Sequence, residues 1–145
     1  MTAKIDQRGA RQTLEAIAEA QPPFADLLGQ KVIHVSRDRV AAEMVVRDAL
    51  GNRNGVLHGG AIMAFADNLG GTASFLNLPA GARTTTIESK TNFFSTIAVG
   101  DTAHAECTPL HRGRTTMVWQ TRITRGDGKL AALVTQTQMV LKTRT

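Results

Sequence analysis

The chain has 145 residues, of which 42% are hydrophobic and 20% charged, with a formal net charge of +5; these figures predict one domain, residues 1–145, around one core. Its one cysteine, Cys107, excludes an internal disulfide and a cysteine-built zinc knuckle. No apolar run reaches the roughly 18 residues of a membrane helix, and the opening MTAKIDQRGARQ has no apolar leader, so a cytoplasmic protein with no membrane partner is expected.

In chain order, Ile5, Leu14, Ile17 and Ala18 recur at helical spacing, and Pro22-Pro23 ends the pattern. Gln30 to Ser36 and Arg39 to Arg47 read as two strands joined at Arg37-Asp38. From His58 to Leu76 the chain is apolar on every side and rich in Ala and Gly, which predicts a buried helix that something can approach closely. Four strand-like runs follow, Thr84 to Phe94, Asp101 to His111, Thr115 to Arg125 and Leu130 to Lys142, with hairpin signals at Arg112-Gly113-Arg114 and Gly126-Asp127-Gly128. In the third run Thr115, Met117, Trp119, Thr121 and Ile123 share a face, whereas the last alternates less cleanly. The expected class is α+β, with the last four strands as a meander and the whole antiparallel sheet curled around the long helix.

One residue conflicts with that helix. Asp67 stands in Ala64-Phe65-Ala66-Asp67-Asn68-Leu69, where a carboxylate costs several kcal/mol unless it is hydrogen-bonded or set in a wet cleft. It is either a helix-capping or interface carboxylate satisfied by backbone donors or a nucleophile or general base. The segment leading into the helix, Asn52-Arg53-Asn54-Gly55-Val56-Leu57-His58-Gly59-Gly60, favours the second reading. Two glycines at a helix start leave backbone N–H groups uncovered at the positive end of the dipole, where they can polarise a carbonyl oxygen or hold a phosphate. His58 and Asp67 are nine residues apart, about 13.5 Å along one helix and on opposite sides of it. If both ends serve one site, they come from antiparallel helices of two subunits, which predicts a two-fold dimer.

His58-Gly59-Gly60 at a helix start, the acid nine positions on, Asn52 six positions before, and Ile87-Glu88-Ser89-Lys90-Thr91-Asn92-Phe93-Phe94 with Gly100-Asp101 resemble the hotdog-fold acyl-CoA thioesterases. The nearest likeness is to their PaaI-like, phenylacetate-pathway branch, over roughly residues 24 to 141. The resemblance implies hydrolysis of an acyl-CoA to free acid and CoA, with no metal or redox cofactor. Asp67 would attack the thioester or activate water, and the partner subunit's Gly59 and Gly60 amides would polarise the carbonyl. Asn52 would hold the carbonyl or the water, and His58 would position. Relatives often carry a water-positioning hydroxyl one helical turn after the acid or on the next strand; the first position is Gly71, which leaves Thr86. A tunnel between subunits, lined partly by Met63, Phe65 and Phe93 or their neighbours, would take the acyl group, and the assembly would be a dimer of dimers.

Charge gives the coenzyme a candidate site. Residues 1 to 110 hold ten Lys/Arg against eleven Asp/Glu, but residues 111 to 145 hold seven against one. Arg112 and Arg114, flanking Gly113 in a turn, are candidates for the CoA phosphates, with Lys90 on the preceding strand as an addition. The alternatives are a non-catalytic acyl-CoA-binding or regulatory hotdog protein, a hotdog dehydratase, and nucleic-acid binding through the basic third. The last is disfavoured by five Phe, one Trp and no Tyr for base stacking. His34, His104 and His111 lack metal-ligand spacing, and no serine-hydrolase elbow or P-loop is present.

Overall fold

A computed structural model describes residues 16, 17 and 20–143. Of the expected opening helix only Ala16 and Ile17 fall among these, both helical and buried; Ile5, Leu14 and Ala18 lie outside the described residues. Pro22-Pro23 also begins a second helix, α1 (Pro23–Leu28), which the sequence reading omits. Proline at the first helical position loses no hydrogen bond, and Gly29, at φ 71°, closes the helix in the left-handed region.

The remaining elements are β1 (Gln30–Val35), β2 (Val40–Val45), a 3-10 turn at Asp48–Leu50, α2 (Gly59–Leu76), β3 (Arg83–Phe93), β4 (Thr102–Arg112), β5 (Thr116–Thr124) and β6 (Leu130–Leu141). All six strands form one antiparallel sheet in the order β1-β2-β4-β5-β6-β3, with the long helix against its inner face. This is the expected hotdog arrangement, with one correction. The last four strands are not a meander: β4, β5 and β6 are, but β3 pairs with β6 at the far edge and β4 returns to β2. The segment between β3 and β4 crosses past the start of the long helix instead of turning back. Phe94 N–H donates to Ala131 O, Leu57 N–H to Ile97 O, and Gly100 N–H to Val46 O, while the Ile97 side chain is wholly buried. A buried isoleucine in the middle of the connection holds it across the end of the core.

The inner face of the sheet follows period-two alternation. On β5 the buried residues are Met117, Trp119, Thr121 and Ile123, as the sequence predicts, but Thr115 lies before the strand and is exposed. Facing them, the long helix buries Ile62, Phe65, Ala66, Leu69, Gly70, Ala73 and Ser74, but Met63 and Phe75 are exposed. An all-round apolar helix is therefore covered on one side only within this chain. The Trp119 indole N–H donates to Ser74 Oγ at 2.8 Å, both groups fully buried. Ser74→Ala leaves that N–H unpaired and is expected to cost about 1–3 kcal/mol. Urea unfolding checks this, with a lower midpoint at unchanged slope.

Burial pushes the Cys107 thiol from 9.0 up to about 11, with the Thr121 hydroxyl nearby opposing it in part. A thiol held above its unfolded value stabilises the fold fully below pH 9, and that contribution is lost as pH rises through 11. At pH 8 Cys107 is expected to resist iodoacetamide in the native protein and to react in urea, as intact-mass measurement would show. Among the described residues no helix is long and apolar enough to cross a membrane, and no group of three or more His, Cys, Asp or Glu is placed to hold a metal.

Candidate active site

Asp67 lies halfway along the long helix, half-buried, on the wall of a cavity of about 500 Å³. Both conditions for tolerating a carboxylate there are met. Its Oδ1 accepts from Thr86 Oγ1 at 2.7 Å and from Gln136 Nε2 at 3.1 Å. Oδ2 has no partner among the described residues and is not sealed from solvent. One oxygen is thus anchored and the other is available for chemistry.

The anchor extends further. Gln138 Nε2 donates to Thr86 Oγ1 at 2.6 Å, and Thr84 Oγ1 donates to Gln138 Oε1 at 3.0 Å. Because an amide nitrogen only donates and an amide oxygen only accepts, this chain has one direction, and it delivers the Thr86 hydroxyl proton to Asp67. The sheet register makes it possible. Thr84 and Thr86 face inward on β3, and Thr86 stands opposite Gln138. A bulge between Thr86 and Glu88 then shifts the alternation, so that Glu88 turns outward, where Thr137 Oγ1 donates to it, and Ser89 faces Gln136. Without that extra residue Glu88 would share a face with Thr86 and place a second carboxylate toward Asp67.

Sequence reasoning missed Gln136, Gln138 and Thr84. The signal was the imperfect alternation of the last run: the inner face of β6 is Ala132, Val134, Gln136, Gln138 and Val140, with both glutamines at most 1% exposed. Two long amides in the middle of an apolar face need partners, and Asp67 and Thr86 are those partners. Gly71 borders the cavity with open space above its α-carbon, so Thr86 is the hydroxyl the structure brings to Asp67.

The start of the helix is a separate locality. His58 caps it, with Nδ1 accepting from Gly60 N–H at 2.8 Å, which leaves the neutral imidazole proton on Nε2. Here the sequence reading needs correction: the Gly60 amide is already occupied, and Gly59 N–H is the one of the pair left for a ligand. The Gly59 backbone lies against the Phe93 ring, to which an added β-carbon would come within 3.3 Å. Asn52 Oδ1 accepts from Asn54 N–H at 2.9 Å and holds its own turn, which leaves the amide nitrogen as the group able to donate outward. Beside His58 and Gly60 is a smaller cavity of about 230 Å³. Asp67 is absent from its lining, and Gly59 to Asp67 is about 12 Å of helix.

The basic candidates are not brought together as one cluster. Arg112 is tied to the turn between β1 and β2, its Nη1 donating to Asp38 Oδ1 at 2.6 Å and to Arg37 O at 3.0 Å. Arg114 and Lys90 are exposed. Phe65 is also corrected: it is wholly buried in the core and cannot line an acyl tunnel, whereas Met63 and Phe93 are exposed and Phe75 borders the larger cavity.

A curved antiparallel sheet around one helix, with a helix-borne acid and a glycine-started helix, defines a hotdog-fold hydrolase. Residues 54–132 match the model of the thioesterase superfamily, and the chain belongs to that family. It is 28% identical over 130 residues to 1,4-dihydroxy-2-naphthoyl-CoA hydrolase of Escherichia coli, covering 89% of this chain and 95% of that protein. A thioesterase of Pseudomonas aeruginosa, solved as a mutant, superposes with a TM-score of 0.85 at 28% identity, covering 94% of this chain and 99% of that one. The phenylacetic acid degradation protein PaaI of Thermus thermophilus, also solved as a mutant, gives 0.75 at 26%, over 81% and 98%. The fold and the family are those of thioester hydrolases.

Proposed function

We propose that the protein hydrolyses acyl-CoA thioesters in two composite sites of a homodimer, two such dimers forming a tetramer. The observation that carries the reading is the Asp67 carboxylate, anchored at Oδ1 with Oδ2 unpartnered on the wall of a cavity large enough for an acyl group. In this reading Oδ2 either attacks the thioester carbonyl to give an anhydride, which water then cleaves, or takes a proton from water as it attacks. Both routes release CoA thiolate and the free acid. Single turnover in ¹⁸O water separates them, since label enters Asp67 only by way of the anhydride.

The oxyanion that forms needs donors, and the Gly59 N–H at the positive end of an 18-residue helix supplies one. It belongs to the partner subunit in this proposal, because within one chain it is too far from Asp67. Support comes from the uncovered apolar surface, with Met63, Phe75, Phe93 and Phe94 all at least 39% exposed. Thr86, bonded to Asp67, keeps one hydroxyl lone pair to accept from the lytic water. Asn52 contributes its amide nitrogen and His58 orients Gly60. Arg114 and Lys90, with the unbonded part of the Arg112 guanidinium, would meet the CoA phosphates.

The test is thiol release from a panel of aromatic and aliphatic acyl-CoAs, with free CoA as a competitor. Turnover that CoA inhibits supports the reading and names the acyl class. Binding of CoA without turnover on any thioester would move the assignment to a non-catalytic acyl-CoA-binding protein.

A further inference from the structure

We infer that Gln136 is a positioning residue for the reaction, fixing the rotation of the Asp67 carboxylate, and that Gly70 is glycine to make room for it; the inference rests on Asp67 being the catalytic carboxylate. Gln136 is fully buried and does not border the cavity, so it does not touch substrate there. Its Nε2 donates to Asp67 Oδ1, whereas its Oε1 is buried with no partner among the described residues. A buried amide with an unsatisfied oxygen is a poor choice for stability alone. A methionine of similar size would fill the same space without that penalty.

The helix has been shaped around this amide. Gly70 follows Asp67 by three residues, on the same face. A β-carbon there would come within 2.3 Å of the Gln136 Cδ and Oε1 and 2.5 Å of Nε2. Those are the atoms that reach Asp67, and none can shift without moving the donor. Glycine in mid-helix is itself destabilising relative to alanine. Position 70 accepts that cost, and β6 accepts the orphaned oxygen, at the two places that hold one carboxylate oxygen.

Two donors on Oδ1 stop the carboxylate from rotating about its χ2 axis, which keeps Oδ2 as the reacting oxygen.

The experiment compares wild type, Gln136→Met, Gln136→Ala, Gly70→Ala and the double variant Gly70→Ala with Gln136→Ala. Gln136→Met is expected to lower kcat about tenfold with KM unchanged and thermal stability equal or higher. Gly70→Ala alone should lose activity, and in the Gln136→Ala background it should cost nothing further, because the clash is gone. Wild-type kcat in Gln136→Met would overturn the inference even with Asp67 confirmed as essential. If wild type cleaves no thioester, or Asp67→Asn retains full turnover, the functional reading fails and this inference goes with it.

Discussion

Asp67→Asn should lower thiol release by about a thousandfold while the protein stays folded and assembled, the scale set by loss of a general base or nucleophile. The substitution is isosteric, and the geometry says where the new atoms go. Thr86 Oγ1 and Gln136 Nε2 both donate to Oδ1, so the amide oxygen of the asparagine takes that position and keeps both bonds. Its NH₂ group then replaces Oδ2, the oxygen without a partner. What is deleted is the reacting atom and the charge, not the anchor. Thiol release on the best acyl-CoA, circular dichroism and sedimentation of the same samples check the prediction. Retention of a tenth or more of the turnover in a folded variant would remove Asp67 from the chemistry. Within the described lining of the cavity there is no second carboxylate to take its place.

Asp67 was legible in the sequence because it breaks a strong pattern. A charge inside Ala64-Phe65-Ala66 and Leu69-Gly70-Gly71 conflicts with burial, and the structure resolves the conflict by hydrogen bonding and a cavity. The helix limits follow equally directly, since the glycines at its start act within a few residues. What failed depended on partners distant in sequence. Gln136 and Gln138 blur the alternation of β6, and only the register that sets Thr86 against Gln138 gives those amides a role. The position of β3 beyond β6 was hidden for the same reason. Hairpin signals report local turns, and the crossing from β3 to β4 is set by a buried Ile97 and by bonds to the loop before the long helix. The occupied Gly60 amide was within local reach, because a histidine two residues before a helix-start glycine is placed to accept from it.

The second large effect is expected at Gly59. Gly59→Pro deletes the one amide of the glycine pair that His58 leaves unoccupied, and the backbone is already suited to it. Proline is favoured at the first helical position, and His58, at φ −62° and ψ 136°, has the extended conformation a residue before proline requires. The added ring meets Phe93 at a distance that a small shift of that exposed side chain relieves. Loss of one oxyanion donor should lower kcat by about a hundredfold or more. Mixing then decides how the site is built. Subunits carrying Asp67→Asn and subunits carrying Gly59→Pro, each nearly inactive, are denatured together and refolded at equal amounts. If Asp67 works with the partner's Gly59, each mixed dimer has one site with both defects and one with neither. Half the dimers are mixed on random pairing, so about a quarter of the wild-type activity should return. If the two groups serve a site within one chain, every site keeps one defect and mixing restores nothing. A two-fold interface that brings antiparallel helices together is therefore read out by activity, and the apolar surface around Met63 and Phe93 is the face on which it would form.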